Sequence, residues 1–483
     1  MKFKFIIVTV SALFGLLSCN SLTTKSDIEH KQTIVCGQII NQTSETSKVI
    51  TIIACDPLDE NDRYAVRLDS TGRFRAEFNM LWGHSFTINY DKNFINAYAE
   101  VGDSIYVEID AVKFHEKNPE AIRFGGKNSE KNREFNQICT DMMCKIDYRS
   151  FTDFTLPLND FMVIFEKEVK KINDSISIYC DKNNMSIWTQ NMMKDMLLYS
   201  LSNYALDYKG QSEKDESGFY TQPIFDIYNN DKFSNMMFQY HLTAYFYRQI
   251  LSDTLMISYI KSKDVIQAEK YGLKKIMAMP KCLSRDVMLF RLYSKLHVEK
   301  DNIKENIFYN KGVYNKVLTL YKQTQSDELP QITSGKGAFF ITKKGEIENI
   351  ADFSIEKLIR EKYKGKVIYI DIWAVWCGSC RAEMAPAREL HKLFHDEDVA
   401  FVNICMSSKQ EAWISMIKNG EIEGDNYYFD DDLSAEASAS MLSGGYPTYI
   451  LIDKTSKIRN KKAPRPSALS EIGDEIEKLL SEK

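Results

Sequence analysis

From Thr33 to about Ala111 the chain alternates apolar and polar residues with period two. Phe74, Ala76, Phe78 and Met80 fall on one side, with Arg73, Arg75, Glu77 and Asn79 on the other. Phe86, Ile88 and Tyr90 repeat the pattern, as do Ile105, Val107 and Ile109. Successive side chains of a strand point to opposite faces, so this alternation predicts strands with one covered face. Asp69-Ser70-Thr71-Gly72 and Val101-Gly102-Asp103-Ser104 separate the runs as turns. Short alternating strands at this spacing predict an N-terminal antiparallel β-sandwich-like domain over residues 33–112, with no cluster that signals catalysis.

The period then changes. Phe161, Phe165, Val169, Ile172, Ile176 and Tyr179 recur at spacings of three and four, one stripe of an amphipathic helix. Trp188 to Tyr208 and Met236 to Ile260 also predict helices. Residues 113–334 therefore predict a middle all-α domain, whose Met- and aromatic-rich faces read as core. From residue 335 to 483 strands and helices alternate. Val367 to Trp373 is an unbroken apolar strand holding one acid, Asp371. A helix follows from Cys377 to Phe394, then strands Ala400 to Cys405 and Thr448 to Ile452, and a helix Leu469 to Leu480. That order predicts a C-terminal α/β domain.

Ahead of the first strand, Lys2 and Lys4 precede an apolar run from Phe5 to Leu17. At about 1.5 Å of helical rise per residue this run is too short for a hydrocarbon core of about 30 Å. A basic start with a short apolar core predicts a signal peptide over residues 1–18. Leu16-Leu17-Ser18-Cys19 resembles the bacterial lipobox, which implies cleavage before Cys19 and acylation of its sulfur. Residues 19–32 are polar and read as a tether. More than one acyl chain holds a protein stably at a membrane. The expected location is the cell envelope, lipid-anchored and facing the periplasm, because no dense acidic run follows Cys19.

Composition acts mainly by exclusion. The chain has 483 residues, 44% apolar and 27% charged, with a formal net charge of −5. That is folded, multi-domain protein rather than disordered chain, and it carries no basic footprint for nucleic acid. Ten cysteines are too few for a disulfide scaffold in 483 residues, so their placement matters.

Trp376-Cys377-Gly378-Ser379-Cys380 puts two cysteines three apart at a strand-to-helix turn. Residues at that spacing share a helix face and can form a disulfide. Cys377 stands where free N–H groups and the helix dipole favour a thiolate, the nucleophile of disulfide exchange. Cys380, one turn further in, is suited to attack the resulting mixed disulfide. A c-type haem site would need His after the second cysteine, where Arg381 stands, and a structural zinc site would need a second ligand pair. His391 and His395 lack the Glu of a HExxH site, so no metal is expected. Trp373 reads as core. Pro386 is expected to kink the helix beyond its first turn. Cys139 and Cys144 are poorly spaced for pairing, Cys36 and Cys55 lie on neighbouring strands and could pair, and Cys405 reads as a buried thiol.

Residues 335–483 resemble the TlpA/ResA group of thioredoxin-fold thiol–disulfide oxidoreductases. The resemblance rests on the strand, the WAxWCxxC turn, Arg381-Ala382-Glu383-Met384, Pro386, and Gly445-Tyr446-Pro447-Thr448 in order. The whole layout is similar to multi-domain Bacteroidetes lipoproteins. The resemblance implies a thioredoxin-like fold and catalysis by Cys377 and Cys380, with Asp371 as a buried proton acceptor. It further implies a substrate surface at Trp376, Tyr446 and Pro447, with Pro447 cis. Protein disulfides or thiols are the implied substrates, a membrane thiol-reducing protein the electron donor, and no cofactor is required. The Gly378-Ser379 dipeptide departs from the common pattern, which leaves the direction of electron flow open, and the bulky Tyr446 is expected to narrow the substrate groove. Two other functions compete: a thiol peroxidase of the same fold, and a binding lipoprotein whose upstream domains capture a partner.

Overall fold

The computed structural model describes residues 32–482, apart from positions 45, 55–57, 59–62, 144–152, 206–207, 209–217, 297–302, 324–336, 343–344, 352 and 443. The expected signal peptide, the lipidation site Cys19, Cys55 and Cys144 lie outside the described residues. No helix among the described residues is long and apolar enough to cross a membrane.

Eight strands build the N-terminal region: β1 (Gln32–Ile40), β2 (Val49–Ile53), β3 (Arg63–Arg67), β4 (Arg73–Asn79), β5 (His84–Tyr90), β6 (Asn93–Ala99), β7 (Ser104–Asp110) and β8 (Ile122–Gly125). They form two sheets, ordered β4-β1-β7-β8 and β3-β2-β5-β6. Every pair is antiparallel except β1 with β7, which run parallel. The alternation in β4 buries Phe74, Ala76 and Phe78 and exposes the charged residues between them. These side chains meet Ile50, Ile52, Phe86 and Ile88 of the other sheet in one core, the expected sandwich.

The short helix α1 (Ala111–His115) leaves β7, and α2 (Ser129–Met142) follows β8. Edge strands expose unpaired backbone groups, and α2 covers those of β6. The Tyr98 N–H donates to Asn132 Oδ1 at 2.6 Å, Asn132 Nδ2 donates to the Tyr98 carbonyl at 3.1 Å, and the Asn96 N–H donates to Asn136 Oδ1 at 3.0 Å. The helical region continues through α3 (Leu158–Lys182), α4 (Ile187–Tyr204), α5 (Met236–Tyr245), α6 (Thr254–Lys261), α7 (Val265–Met277), α8 (Leu283–Leu296) and α9 (Lys311–Gln323). The α3 stripe buries Phe161, Phe165, Val169 and Ile176. The single helix expected from Met236 to Ile260 is two. A wider turn, Phe246–Leu251, ends the first, and Asp253 caps the second by accepting from the Leu255 and Met256 N–H groups. A side-chain acceptor here replaces the helix's own carbonyl and restarts the helix.

The C-terminal region contains β9 (Ala338–Ile341), β10 (Ile347–Ile350), β11 (Val367–Trp373), α10 (Gly378–Leu393), β12 (Val399–Cys405), α11 (Gln410–Lys418), β13 (Asp425–Phe429), α12 (Asp431–Met441), β14 (Thr448–Ile452), β15 (Ile458–Asn460) and α13 (Leu469–Ser481). One sheet of seven strands runs β10-β9-β13-β12-β11-β14-β15. β11 lies parallel to β12 and antiparallel to β14. A strand buried on both faces needs apolar residues at nearly every position, which is why β11 reads as an unbroken run. Ile368, Ile370 and Ile372 pack with Leu433 and Ala437 of α12. Val367 and Tyr369 pack on the opposite face, with Leu390 of α10 and Ile472 of α13. The period of two places Asp371 on that second face, under α10.

The first and last regions touch through α12. Ser47 Oγ donates to Asp432 Oδ1 at 2.7 Å, and the Lys48 N–H lies 3.2 Å from both Asp432 oxygens. Arg67 pairs with Glu436 at 2.6 Å and Lys92 with Asp431 at 2.7 Å.

Candidate active site

β11 ends at Trp373 and the chain turns sharply, with the Cys377 N–H donating to the Ala374 carbonyl at 3.1 Å. Cys377 is the N-cap of α10, and its Sγ accepts the Cys380 N–H at 3.1 Å. A sulfur thus takes the place usually held by a Ser or Asp oxygen at a helix start. The Cys377 and Cys380 sulfurs are joined in a disulfide, with Cα atoms 5.3 Å apart. Both cysteines are buried, while Gly378 and Ser379 between them are exposed. Ser379 Oγ lies 3.3 Å from Cys377 Sγ.

Asp371 lies beneath this turn. Its Oδ1 is buried and has no hydrogen-bond partner among the described residues. Desolvation first, and then the negative charge of Glu383, push its pKa up to about 8. The uncovered part of its side chain borders a cavity of about 20 Å³, which Cys380 also lines. Asn403 stands beside Asp371 in register on β12, so this neighbour carries no countercharge. Glu383, one turn after Cys380 on α10, is itself buried. Its carboxylate accepts the Ser467 N–H and hydroxyl, both at 2.9 Å, and lies 3.8 Å from Arg465.

Two aromatic residues form the rim. Trp376 is 64% exposed, its Nε1–H donates to the Ser407 carbonyl at 2.8 Å, and its ring meets Tyr446 edge-on at 5.6 Å. The Tyr446 hydroxyl and Ser407 Oγ are 3.0 Å apart. The Tyr446–Pro447 bond is cis. Gly444 and Gly445 precede it at φ of +85° and +128°, and nothing lies within 4 Å of a Cβ there. The backbone conformation, not crowding, requires glycine at both.

The Redoxin family matches residues 353–476. The thiol-disulfide oxidoreductase ResA of Bacillus cereus is 23% identical over 112 residues, covering 23% of this chain and 63% of ResA. The thioredoxin-like protein YneN of Bacillus subtilis is 29% identical over 126 residues, covering 24% of this chain and 69% of YneN. The C-terminal domain is a TlpA/ResA-like thioredoxin-fold domain. Among solved structures, one described as a thiol-disulfide oxidoreductase from Bacteroides vulgatus is 30% identical, with a TM-score of 0.25 over 32% of this chain and 99% of that one. The chain spans less than two thirds of the length of that ResA.

In the TlpA/ResA-like domain the structure brings Cys377, Cys380, Asp371, Trp376, Tyr446 and Pro447 to one end of β11 and β14. Trp373 is buried as expected. α10 runs on across Pro386 to Leu393. His391 and His395 part company: His391 is largely buried against Phe401, and His395 is exposed beside Asp396. Among the described residues no three His, Cys, Asp or Glu are placed to hold a metal. Cys405 is buried, and desolvation pushes its thiol up to about 12. Sequence reasoning assigned no role to Glu383, whose spacing of one helical turn from Cys380 was the available signal. Nothing in the sequence marked Ser407 or Asn403, which reach the site only through the neighbouring strand β12 and the loop after it.

Proposed function

We propose that this protein is a membrane-tethered thiol–disulfide oxidoreductase that exchanges or reduces protein disulfides outside the cytoplasm. The observation that carries the reading is Cys377 at the start of α10, bonded to Cys380 above the half-buried Asp371, whose buried Oδ1 has no partner among the described residues. In the reduced enzyme the Cys377 thiolate attacks a substrate disulfide. One substrate sulfur departs as thiolate and a mixed disulfide forms. Asp371 then takes the Cys380 proton, and the Cys380 thiolate attacks Cys377 Sγ. The Cys377–Cys380 bond forms, the substrate is released reduced, and the enzyme pair is oxidised by two electrons.

Trp376, Tyr446 and Pro447 form the surface on which a substrate strand lies, its main chain pairing with that of the Pro447 loop. A membrane thiol-reducing protein returns the enzyme to the dithiol. Cys19 carries the lipid that holds the chain at the cell envelope, facing the periplasm. The names of the Bacillus relatives support the exchange chemistry; the anchor and the location rest on the first nineteen residues of the sequence.

The test is trapping. In the native envelope, Cys380→Ala retains the attacking thiolate and loses the group that releases it, so mixed disulfides accumulate through Cys377. Cys377→Ser abolishes them. Recovery of no mixed disulfide from the Cys380→Ala cells, together with no exchange by the purified wild type, overturns the reading. Peroxide consumption that survives Cys380→Ser and is lost in Cys377→Ser would assign a peroxidase instead.

A further inference from the structure

The cavity that Asp371 and Cys380 share extends beyond them. Met384, Ala387, His391 and Glu423 line it as well. Cys380, Met384, Ala387 and His391 are spaced by four, three and four residues, one face of α10 turned toward it. The volume of about 20 Å³ admits one water molecule. Asp371 lines it too, and its buried Oδ1 atom has no protein partner among the described residues. His391 Nδ1 lies 3.9 Å from a carboxylate oxygen of Glu423, which is half exposed to solvent.

We infer that His391 and Glu423 form the outer half of a proton path that joins Asp371 and Cys380 to solvent through one water in this cavity. The inference rests on the thiol–disulfide exchange proposed above. Each oxidation of the dithiol takes a proton from Cys380 to Asp371, and Asp371 must lose it before the next turnover. Asn403 on β12 cannot take it, because a side-chain amide is not basic near neutral pH; its Nδ2 donates to the Glu423 carbonyl at 2.7 Å. Arg388 on α10 holds the same loop, donating to the Glu421 carbonyl at 3.4 Å, and a guanidinium does not accept protons. Of the side chains lining the cavity, the His391 imidazole is the one that can take up a proton on one ring nitrogen while giving one up from the other.

The surroundings keep that ring neutral. Burial lowers the His391 pKa to about 4, with Phe401 of β12 stacked on it at 4.0 Å. The charged groups lining the cavity with it are Asp371 from β11, Arg388 from its own helix, and Glu421 and Glu423 from the loop after α11. A neutral imidazole accepts the incoming proton on one nitrogen as it releases the other toward Glu423, so no cation is formed in the apolar wall. The proton leaves Asp371 as one O–H bond breaks, and Glu423 passes it to water. No electrons move in this step. His391 and Glu423 are positioning residues, since neither touches the sulfurs.

The experiment follows repeated turnover of hydroxyethyl disulfide by the full-length chain with a dithiol in excess as reductant, across neutral pH and in dilute and concentrated buffer. The wild-type rate is expected to be independent of buffer concentration. His391→Phe, which keeps the stacking on Phe401, is expected to slow turnover roughly tenfold in dilute buffer, less than the roughly hundredfold or more typical for a group that itself transfers a proton in the chemical step. Added imidazole restores it. Glu423→Gln, at a half-exposed position, is expected to show the same buffer dependence at smaller amplitude. Variants that keep the wild-type rate and buffer independence overturn the path and leave the exchange reading standing, as does a slowed His391→Phe that imidazole does not rescue. A wild type that does not react with the disulfide overturns the exchange reading and the path together.

Discussion

Asp371 and Glu383 stand on opposite sides of the same buried layer, one on β11 and one on α10, and the charge of Glu383 adds to burial in raising the Asp371 pKa. Glu383 has the Ser467 N–H and hydroxyl as donors, whereas Asp371 Oδ1 has none. Two carboxylates in related positions are thereby set apart: one is bonded, the other left to hold a proton near neutral pH.

This separation has a stability consequence. The Asp371 carboxyl titrates at 3.8 when unfolded and at about 8 when folded. Between those pH values the folded state holds the extra proton. Stability therefore falls as pH rises from about 4 to about 8 and is flat above that range. Asp371→Asn removes the slope. The variant is expected to be about 2–4 kcal/mol more stable than wild type at the top of the range, less than the full pKa difference gives because the carboxylate borders a cavity. It should match wild type below the bottom of the range. Urea midpoints against pH decide it; parallel curves refute the protonated carboxyl.

Glu383→Gln removes the charge and keeps a side-chain acceptor for the Ser467 N–H. The cost in stability is expected to be about 1 kcal/mol. The pH at which the Asp371 slope levels off should move down, since one of its two causes is gone. An unmoved inflection would separate the two carboxylates electrically.

Trp376 contributes an exposed ring rather than a core one. Trp376→Ala is expected to slow exchange with a protein disulfide roughly fivefold, about 1 kcal/mol of lost contact, and to leave a small-molecule disulfide unaffected. Stopped-flow rates on the two substrates make the comparison. Equal losses would place the indole in the chemistry instead.

Asp432 binds the N-terminal β-domain to α12, and α12 leads into the Gly444–Pro447 loop. Asp432→Ala is expected to cost about 1–2 kcal/mol in unfolding and to speed hydrogen exchange at the Lys48 amide. Unchanged protection at Lys48 would mean that Arg67–Glu436 and Lys92–Asp431 suffice for docking.

Much of the C-terminal domain was legible from local pattern. β11 and β14 begin and end where the apolar runs do, because strands covered on both faces leave no polar gaps. α12 was not legible: Asp431 to Met441 offers mainly small residues and Leu433, and its burial comes from β2, β3 and the sheet above it. The parallel pairing of β1 with β7 was equally hidden, since alternation reports which face a residue takes and not which strand lies beside it. The helix expected from Met236 to Ile260 failed at Asp253, where a short polar side chain competes for backbone N–H groups.

By itself the sequence determined the CxxC pair at a strand-to-helix junction and the parity that turns Asp371 toward the helix above it. Both follow from the local periods of strand and helix, which a few residues set. Only the tertiary structure decided that Asp371 Oδ1 has no partner among the described residues, that Glu383 is satisfied by Ser467 eighty-four residues away, and that Cys380 and His391 line one cavity. Desolvation and charge act through space, so they depend on which distant segments the fold brings to the same few ångströms.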